Sequence, residues 1–293
     1  MIVVTTPTGQ IGSGVVRHLM NAGEPLRLIA RHPERLPAHL RARAEVVTGS
    51  HDDNAVMDRA LEGAESLFLV VPPSFTTQDN LAHTLAFTRP ACRAILKHRP
   101  RRVVAVSAIG RGLDLREGPI SASLEKDREI ERTGVDFRAL WCPGFMENML
   151  SQLVPLKRFG SFSWPGRPDL KLPLVATRDI AAVASRLLRD RTWTGQGGVG
   201  VLGPEDLSQN DQAMILSEVI GLPFRFQSIP AEAFKAQLVQ MGASPEYAQG
   251  LVEMHLASAA GLGAKLSRTT ENSTPTSFRQ WVYEVLRPAY LGV

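Results

Sequence analysis

Two features of this 293-residue sequence are equipped for chemistry: a glycine loop near its start and a basic residue one strand further on. The loop, TTPTGQIGSG, runs from the apolar residues Ile2, Val3 and Val4 into the helical pattern VVRHLM. Between a strand and a helix such glycines have a definite use. Gly9 lets the backbone approach a pyrophosphate, Gly12 lets the helix pack closely on the strand, and the helix N-terminus offers free N–H groups and a positive dipole to an anion. The bland alternative is a plain strand-to-helix turn. The next β-rich run, LRLIAR, ends on Arg31. An acidic residue there would bond the ribose hydroxyls of NAD, whereas an arginine suits the 2′-phosphate of NADP through its planar fork. The expected cofactor is therefore NADP(H), with a solvated arginine as the alternative.

The elements that position these residues follow from the hydrophobic pattern. Short runs rich in Val, Ile and Leu begin at Ile2, Leu26, Ala44, Ser66, Arg102 and Phe137, and helical stretches at 13–21, 55–61, 80–97 and 123–132 separate them. Apolar runs without polar alternation read as strands buried on both faces. The pattern predicts an α/β doubly wound parallel sheet, Rossmann-like, with crossover helices. After Pro143 come the Pro- and Gly-punctuated SFSWPGRPDLKLP, a helix in DIAAVASRLLRD, and GGVGVLGP, which can return to the sheet as a strand. LSQNDQAMILSEVIG reads as a helix capped by Ser208, PFRFQSIP as a short strand, and the tail from Ala231 as mostly helical. The expected organisation is an NADP-binding domain over 1–150 with a returning segment at 174–204, and a smaller, discontinuous, mostly helical lobe over 151–173 and 205–293. Such a lobe would cover the carboxyl ends of the strands, where ligands of these sheets bind.

Composition narrows the function classes. With 44% hydrophobic and 21% charged residues the chain is an ordinary folded protein, and two cysteines, Cys92 and Cys142, are too few for a disulfide framework or a zinc site. They read as core thiols in a reducing compartment. MIVVTTP lacks the basic start and apolar length of a leader, and no apolar stretch approaches the ~20 residues of a membrane span, so a cytoplasmic location without a membrane is expected. The net charge is only +4 and the arginines are scattered, so no nucleic-acid partner is expected. Attraction of an anionic cofactor or a solvated surface accounts for the basic balance.

TTPTGQIG, ARHPERL, TGSHDDNAVMDRALEGAESLFLVVPP, TGVDFRALWCPGFMENML and ATRDIAAVASRLL, in this order and spacing, resemble the NmrA-like family of atypical short-chain dehydrogenase/reductases. The tail from Pro245 to Leu286 is similar to the quinone-oxidoreductase and triphenylmethane-reductase branch. The resemblance implies a phosphate loop at Thr6, Thr8, Gly9, Gln10, Ile11 and Gly12 and a 2′-phosphate arginine at Arg31. It implies Val71 and Pro72 beside the adenosine ribose, Ser107 and Ala108 at the next strand end, Pro143, Gly144 and Phe145 around the nicotinamide, and Asn148 near the pocket floor. Met146 and Glu147 read as packing and a helix start. Three positions depart from the family pattern: Thr6 for the first loop glycine, Ser50 for an adenine-side aspartate, and Trp141 for the arginine of its LRP motif. Because Pro7 disfavours the helical region for its predecessor, Thr6 is expected to be extended.

In the wider superfamily a tyrosine four residues before a lysine gives or takes the substrate proton. Lys126 stands at the lysine position, but Ala122 stands at the tyrosine position, and Tyr247, Tyr283 and Tyr290 all lie in the second lobe. Two function classes follow. One is an NAD(P)H-dependent reductase delivering hydride to an already electrophilic conjugated acceptor, a quinone, enone, imine or aromatic, with Lys126 and Asn148 as the polar catalytic candidates and Ser123 a weaker one. Its partner is a small apolar or aromatic substrate, suited to the Met-containing segment QLVQMGASPEYAQGLVEMHLASAAG. The other is a non-catalytic NADP(H) sensor with a protein partner. Lys126 reads equally as a solvated helix lysine in LEKDREIER, and His51, His83 and His255 as surface or satisfied histidines.

Overall fold

The computed structural model describes residues 1–110, 118–262 and 266–292. Its strands are β1 (Ile2–Val4), β2 (Leu26–Ala30), β3 (Glu45–Thr48), β4 (Ser66–Leu69), β5 (Arg102–Ala108) and β6 (Asp136–Cys142), then β7 (Gly144–Phe145), β8 (Ser161–Trp164), β9 (Leu172–Val175), β10 (Gln196–Gly200), β11 (Asp206–Leu207) and β12 (Arg225–Ser228). Its helices are α1 (Gln10–Asn21), α2 (Ala38–Arg41), α3 (Asn54–Leu61), α4 (Asn80–His98), α5 (Gly118–Glu131), α6 (Leu153–Phe159), α7 (Thr177–Arg189), α8 (Gln209–Ile220), α9 (Ala231–Gln240), α10 (Pro245–Ala259), α11 (Phe278–Trp281) and α12 (Arg287–Leu291).

Successive side chains on a strand point to opposite faces, so a sheet covered on both faces needs unbroken apolar runs. Ile2, Val4 and Phe68 pack with α1 and α7 on one face, while Val3, Leu67 and Leu69 pack with α3 and α4 on the other. The seven strands are parallel in the order β10-β6-β5-β4-β1-β2-β3, the expected doubly wound sheet. Strand order reverses between β1 and β4, which opens a crevice at their carboxyl ends. Thr5 holds that point together: its buried hydroxyl accepts from Val70 N (2.9 Å) and donates to Phe68 O (3.2 Å). On the helical face α1 and α7 cross closely at Gly14, where a Cβ would come within 2.7 Å of Ala181 Cβ.

The glycine-rich edge strand β10 has little intrinsic strand preference. It pairs with β6 from Gln196 opposite Phe137 to Gly200 opposite Trp141, and the Trp141 indole fills the space where a side chain on Gly198 would stand. A separate core cluster joins Met146 and Met149, inside the expected 1–150 unit, to Phe162, Leu216, Phe278 and Trp281 of the expected lobe. There are also two small sheets, β11-β9-β7 and β12-β8, and the first bridges these segments, since β7 precedes residue 151. Their strands β8 and β9 lie in the segment that reads as Pro and Gly punctuation, and they form because distant partners supply the ladders. Ser208 caps α8 in a reciprocal capping box with Asp211. Among the described residues no helix is long and apolar enough to cross a membrane.

Glu147 ties the lobe to the sheet layer. Its carboxylate accepts from Thr177 N (3.0 Å) and Thr177 Oγ1 (2.7 Å) at the start of α7, and from Trp281 Nε1 (3.2 Å) on α11. Glu147→Ala leaves a buried indole N–H and a helix start without their acceptor, so urea unfolding is expected to show a loss of ~2–4 kcal/mol. A loss under about 0.5 kcal/mol, the scatter of surface substitutions, would refute this role.

Candidate cofactor and active site

The chain leaves β1 through a turn in which Gly9 N donates to Thr6 O (3.0 Å). Thr6 is left-handed, with φ of 48°, and not extended as expected before Pro7. The physical reason is the approach of α1: a Cβ on Gly12 would overlap the Thr6 carbonyl oxygen, so helix and strand end are in contact and the intervening turn must be tight. That need overrides the pre-proline preference and places a β-branched residue where glycine costs least. Gly9, extended, precedes α1 without a side-chain cap, and the first turn of the helix carries no acidic residue. The N–H groups of Gln10, Ile11 and Gly12 therefore have no acceptor within the helix. Thr8, Gly9 and Gln10 are exposed, and the loop has the room and the donors that a pyrophosphate needs.

Arg31 leaves β2 exposed to solvent, with Arg35 also exposed in the turn that follows. Val71 and Pro72 leave β4 half-buried, and Pro72 O lies 2.8 Å from His83 Nε2. His51 departs from its expectation: it is 4% exposed, packs at 4.6 Å on Phe87, and its Nε2 has no hydrogen-bond partner. Burial pushes His51 down to about 4, against the opposing charge of Asp52. Burial likewise pushes His255 down to about 4, where its ring stacks on Trp164 at 5.9 Å and meets the edge of Phe234 at 5.0 Å.

At the other end of the crevice Ser107, next to last in β5, lies opposite Trp141, and Gly144 and Phe145 pair with Leu174 and Val175 just after the half-buried Pro143. Lys126 is not a solvated lysine: it is 2% exposed and its ammonium bonds the Asp127 carboxylate, itself 4% exposed. Ser107 Oγ donates to the other Asp127 oxygen, and Ser123 Oγ lies 3.5 Å from Ser107 Oγ. Ala122 is 2% exposed, so the position of the usual tyrosine is filled with no hydroxyl. Asn148 is exposed, because the turn Met146–Gln152 buries Met146 and Met149 and leaves Asn148 outside. Burial pushes the Cys92 thiol up to about 12 and raises Cys142 as well, so neither is a thiolate nucleophile.

The segment leaving β4 is docked on α10. Ser244 N donates to Phe75 O (2.8 Å), Ser244 Oγ donates to Thr77 O, and the Phe75 ring meets Tyr247 at 5.2 Å. Sequence reasoning singles out neither Thr5 nor Asp127, and it weighs Tyr247 only as a tyrosine far from Lys126 in the chain. Asp127 sits in a charge-rich helical run that reads as a solvated face, and only packing shows otherwise.

Thr6→Gly removes the left-handed strain and is expected to stabilise the fold by ~1 kcal/mol in thermal or urea unfolding; destabilisation would mean that the Thr6 side chain supports the turn. Unfolded histidines ionise near 6.5, whereas folded His51 and His255 stay neutral down to about 4. The unfolded chain then binds more protons between those values, so stability is full above 6.5 and falls on acidification by up to about 1.4 kcal/mol per pH unit per histidine. The unfolding temperature is expected to drop from about pH 7 to about pH 4.5, less steeply in His51→Leu; equal slopes would overturn the assignment to His51.

A family model described as NAD(P)H-binding matches residues 7–190, and the NmrA-like family model matches residues 124–270. Among curated proteins, the chain is 30% identical over 289 residues to a (4-alkanoyl-5-oxo-2,5-dihydrofuran-3-yl)methyl phosphate reductase of Streptomyces griseus, covering 97% of both chains. It is 28% identical to an NAD(P)H azoreductase of Xenophilus azovorans, covering 87% of this chain and 86% of that one. Among solved structures, an NADPH-dependent quinone oxidoreductase of Escherichia coli, complexed with NADPH, superposes with a TM-score of 0.81 at 20% identity, over 98% of this chain and 100% of that one.

Proposed function

The chain belongs to the NAD(P)H-binding, NmrA-like family, and from that premise we propose that it is an NADPH-dependent reductase of conjugated, electrophilic small molecules such as enones, quinones and azo compounds. When bound, the reduced dinucleotide supplies a hydride. The chain's own residues do the rest. The first-turn N–H groups of Gln10, Ile11 and Gly12, with Thr6, Thr8 and Gly9 around them, hold the pyrophosphate, and Arg31 takes the 2′-phosphate. Val71 and Pro72 border the adenosine ribose; Ser107, Lys126, Pro143, Gly144 and Phe145 surround the nicotinamide end.

The observation that carries this reading is the meeting of a glycine-lined, uncapped helix start with a buried ammonium at the carboxyl ends of one sheet, beside a position that lacks the usual hydroxyl. Without a phenol at residue 122, acceptors that need little acid assistance are favoured. The dihydrofuranone of the Streptomyces relative is such an acceptor, since a conjugated carbon–carbon double bond is already polarised by its carbonyl groups.

The test is NADPH oxidation with a panel of quinones, enones and azo compounds beside simple ketones. Conjugated acceptors are expected to react at least about a hundredfold faster, the lower range of what a general acid contributes. No turnover with tight NADPH binding would overturn the reductase in favour of a redox sensor. Arg31→Ala is expected to weaken NADPH by about tenfold to a hundredfold, the worth of a charged hydrogen bond, with NADH nearly unaffected. Equal loss for both would refute the 2′-phosphate role.

A further inference from the structure

We infer that Asp127 is a positioning residue: it holds the Lys126 ammonium as a fixed buried cation at the carboxyl ends of β5 and β6. The inference rests on the cofactor crevice proposed above, and concerns what prepares it for a ligand. Lys126 and Asp127 are among the few buried charged groups, at 2% and 4% exposure, and they bond each other. A buried ammonium with no counterion would lose its proton, and a buried carboxylate alone would gain one. Asp127 is fully engaged: one oxygen accepts from Lys126 Nζ, the other from Ser107 Oγ at the end of β5. Lys126 is not. An ammonium carries three donors, and among the described residues only the Asp127 carboxylate receives one. Its other two N–H donors have no acceptor among the described residues and are open to a ligand in the crevice.

Among the described residues, Cys142 on β6 and Cys92 on α4 interact with Lys126 but are held as neutral thiols by burial; Glu129 of α5 and Arg93 of α4 also act on Cys92, and Glu253 of α10 approaches the opposite end of α5 beside Gly118. Asp127 is the partner that the Lys126 ammonium bonds among the described residues, and it sets where that ammonium stays. Ser107, bonded to the same carboxylate, is aligned by it, with Ser123 Oγ 3.5 Å beyond.

The decisive experiment follows the Lys126 side-chain signal in 15N-lysine-labelled protein without cofactor, identified as the one missing in Lys126→Met, by NMR at one fixed pH. In Asp127→Asn that signal is expected to leave its wild-type position and broaden, because the ammonium is no longer held in one place, and in Asp127→Glu to return toward wild type. NADPH affinity by fluorescence is expected to weaken about tenfold in Asp127→Asn and to recover in Asp127→Glu. A purely structural role would leave the Lys126 signal in place while lowering the unfolding temperature. An unchanged Lys126 signal in Asp127→Asn overturns the inference. Should Asp127→Asn fail to fold, Ser107→Ala, which frees one Asp127 oxygen and leaves the ion pair, decides: a displaced Lys126 signal supports the coupling, an unchanged one overturns it. Loss of NADPH binding by wild type would sink the proposed function and leave the Lys126 signal to judge Asp127 by itself.

Discussion

The contact between the Thr6 carbonyl and the α-carbon of Gly12 is the constraint on which the rest of the site depends. It sets α1 against the end of β1, and through Gly14 against α7, so that the helix start opens into the crevice between β1 and β4. A larger residue at position 12 would push α1 outward and take the first-turn N–H groups with it. The left-handed Thr6 is the cost of this arrangement, about 1–2 kcal/mol of backbone strain concentrated at the point of closest approach. Thr5 secures the other side by extending the bonding of β1 to β4 beyond the strand itself.

At the far end of the crevice the structure buries charge instead of strain. The Lys126–Asp127 pair with Ser107 is a neutral, bonded cluster, the form in which ionised groups are tolerated away from water. Ala122 beside it puts no hydroxyl at that position.

The second lobe is joined to the sheet by buried polar ties. Besides Glu147, Asp179 on α7 accepts from Thr276 N (3.0 Å) and Thr276 Oγ1 (2.8 Å), and Arg178 bonds Thr276 and Glu284. The Ser244 and Tyr247 contacts fasten α10 to Phe75 and Thr77 in the segment leaving β4.

By itself the sequence determined the parallel sheet, the glycine loop and the family, because these are local: unbroken apolar runs, glycine spacing and strand-to-helix order are written in neighbouring residues. It also marked Arg31 and the missing tyrosine, since both are matters of residue type at one position. What only the tertiary structure decided depends on residues far apart. Thr6 turns left-handed because α1 comes back against β1, a demand that outweighs the local influence of Pro7. The strands β8 and β9 exist because distant ladders complete them, and Gly198 extends an edge because Trp141 covers it. Asn148 is outside and Asp127 inside for the same reason: burial is a property of the packed chain, and a charged run such as LEKDRE does not declare which of its members the sheet will enclose.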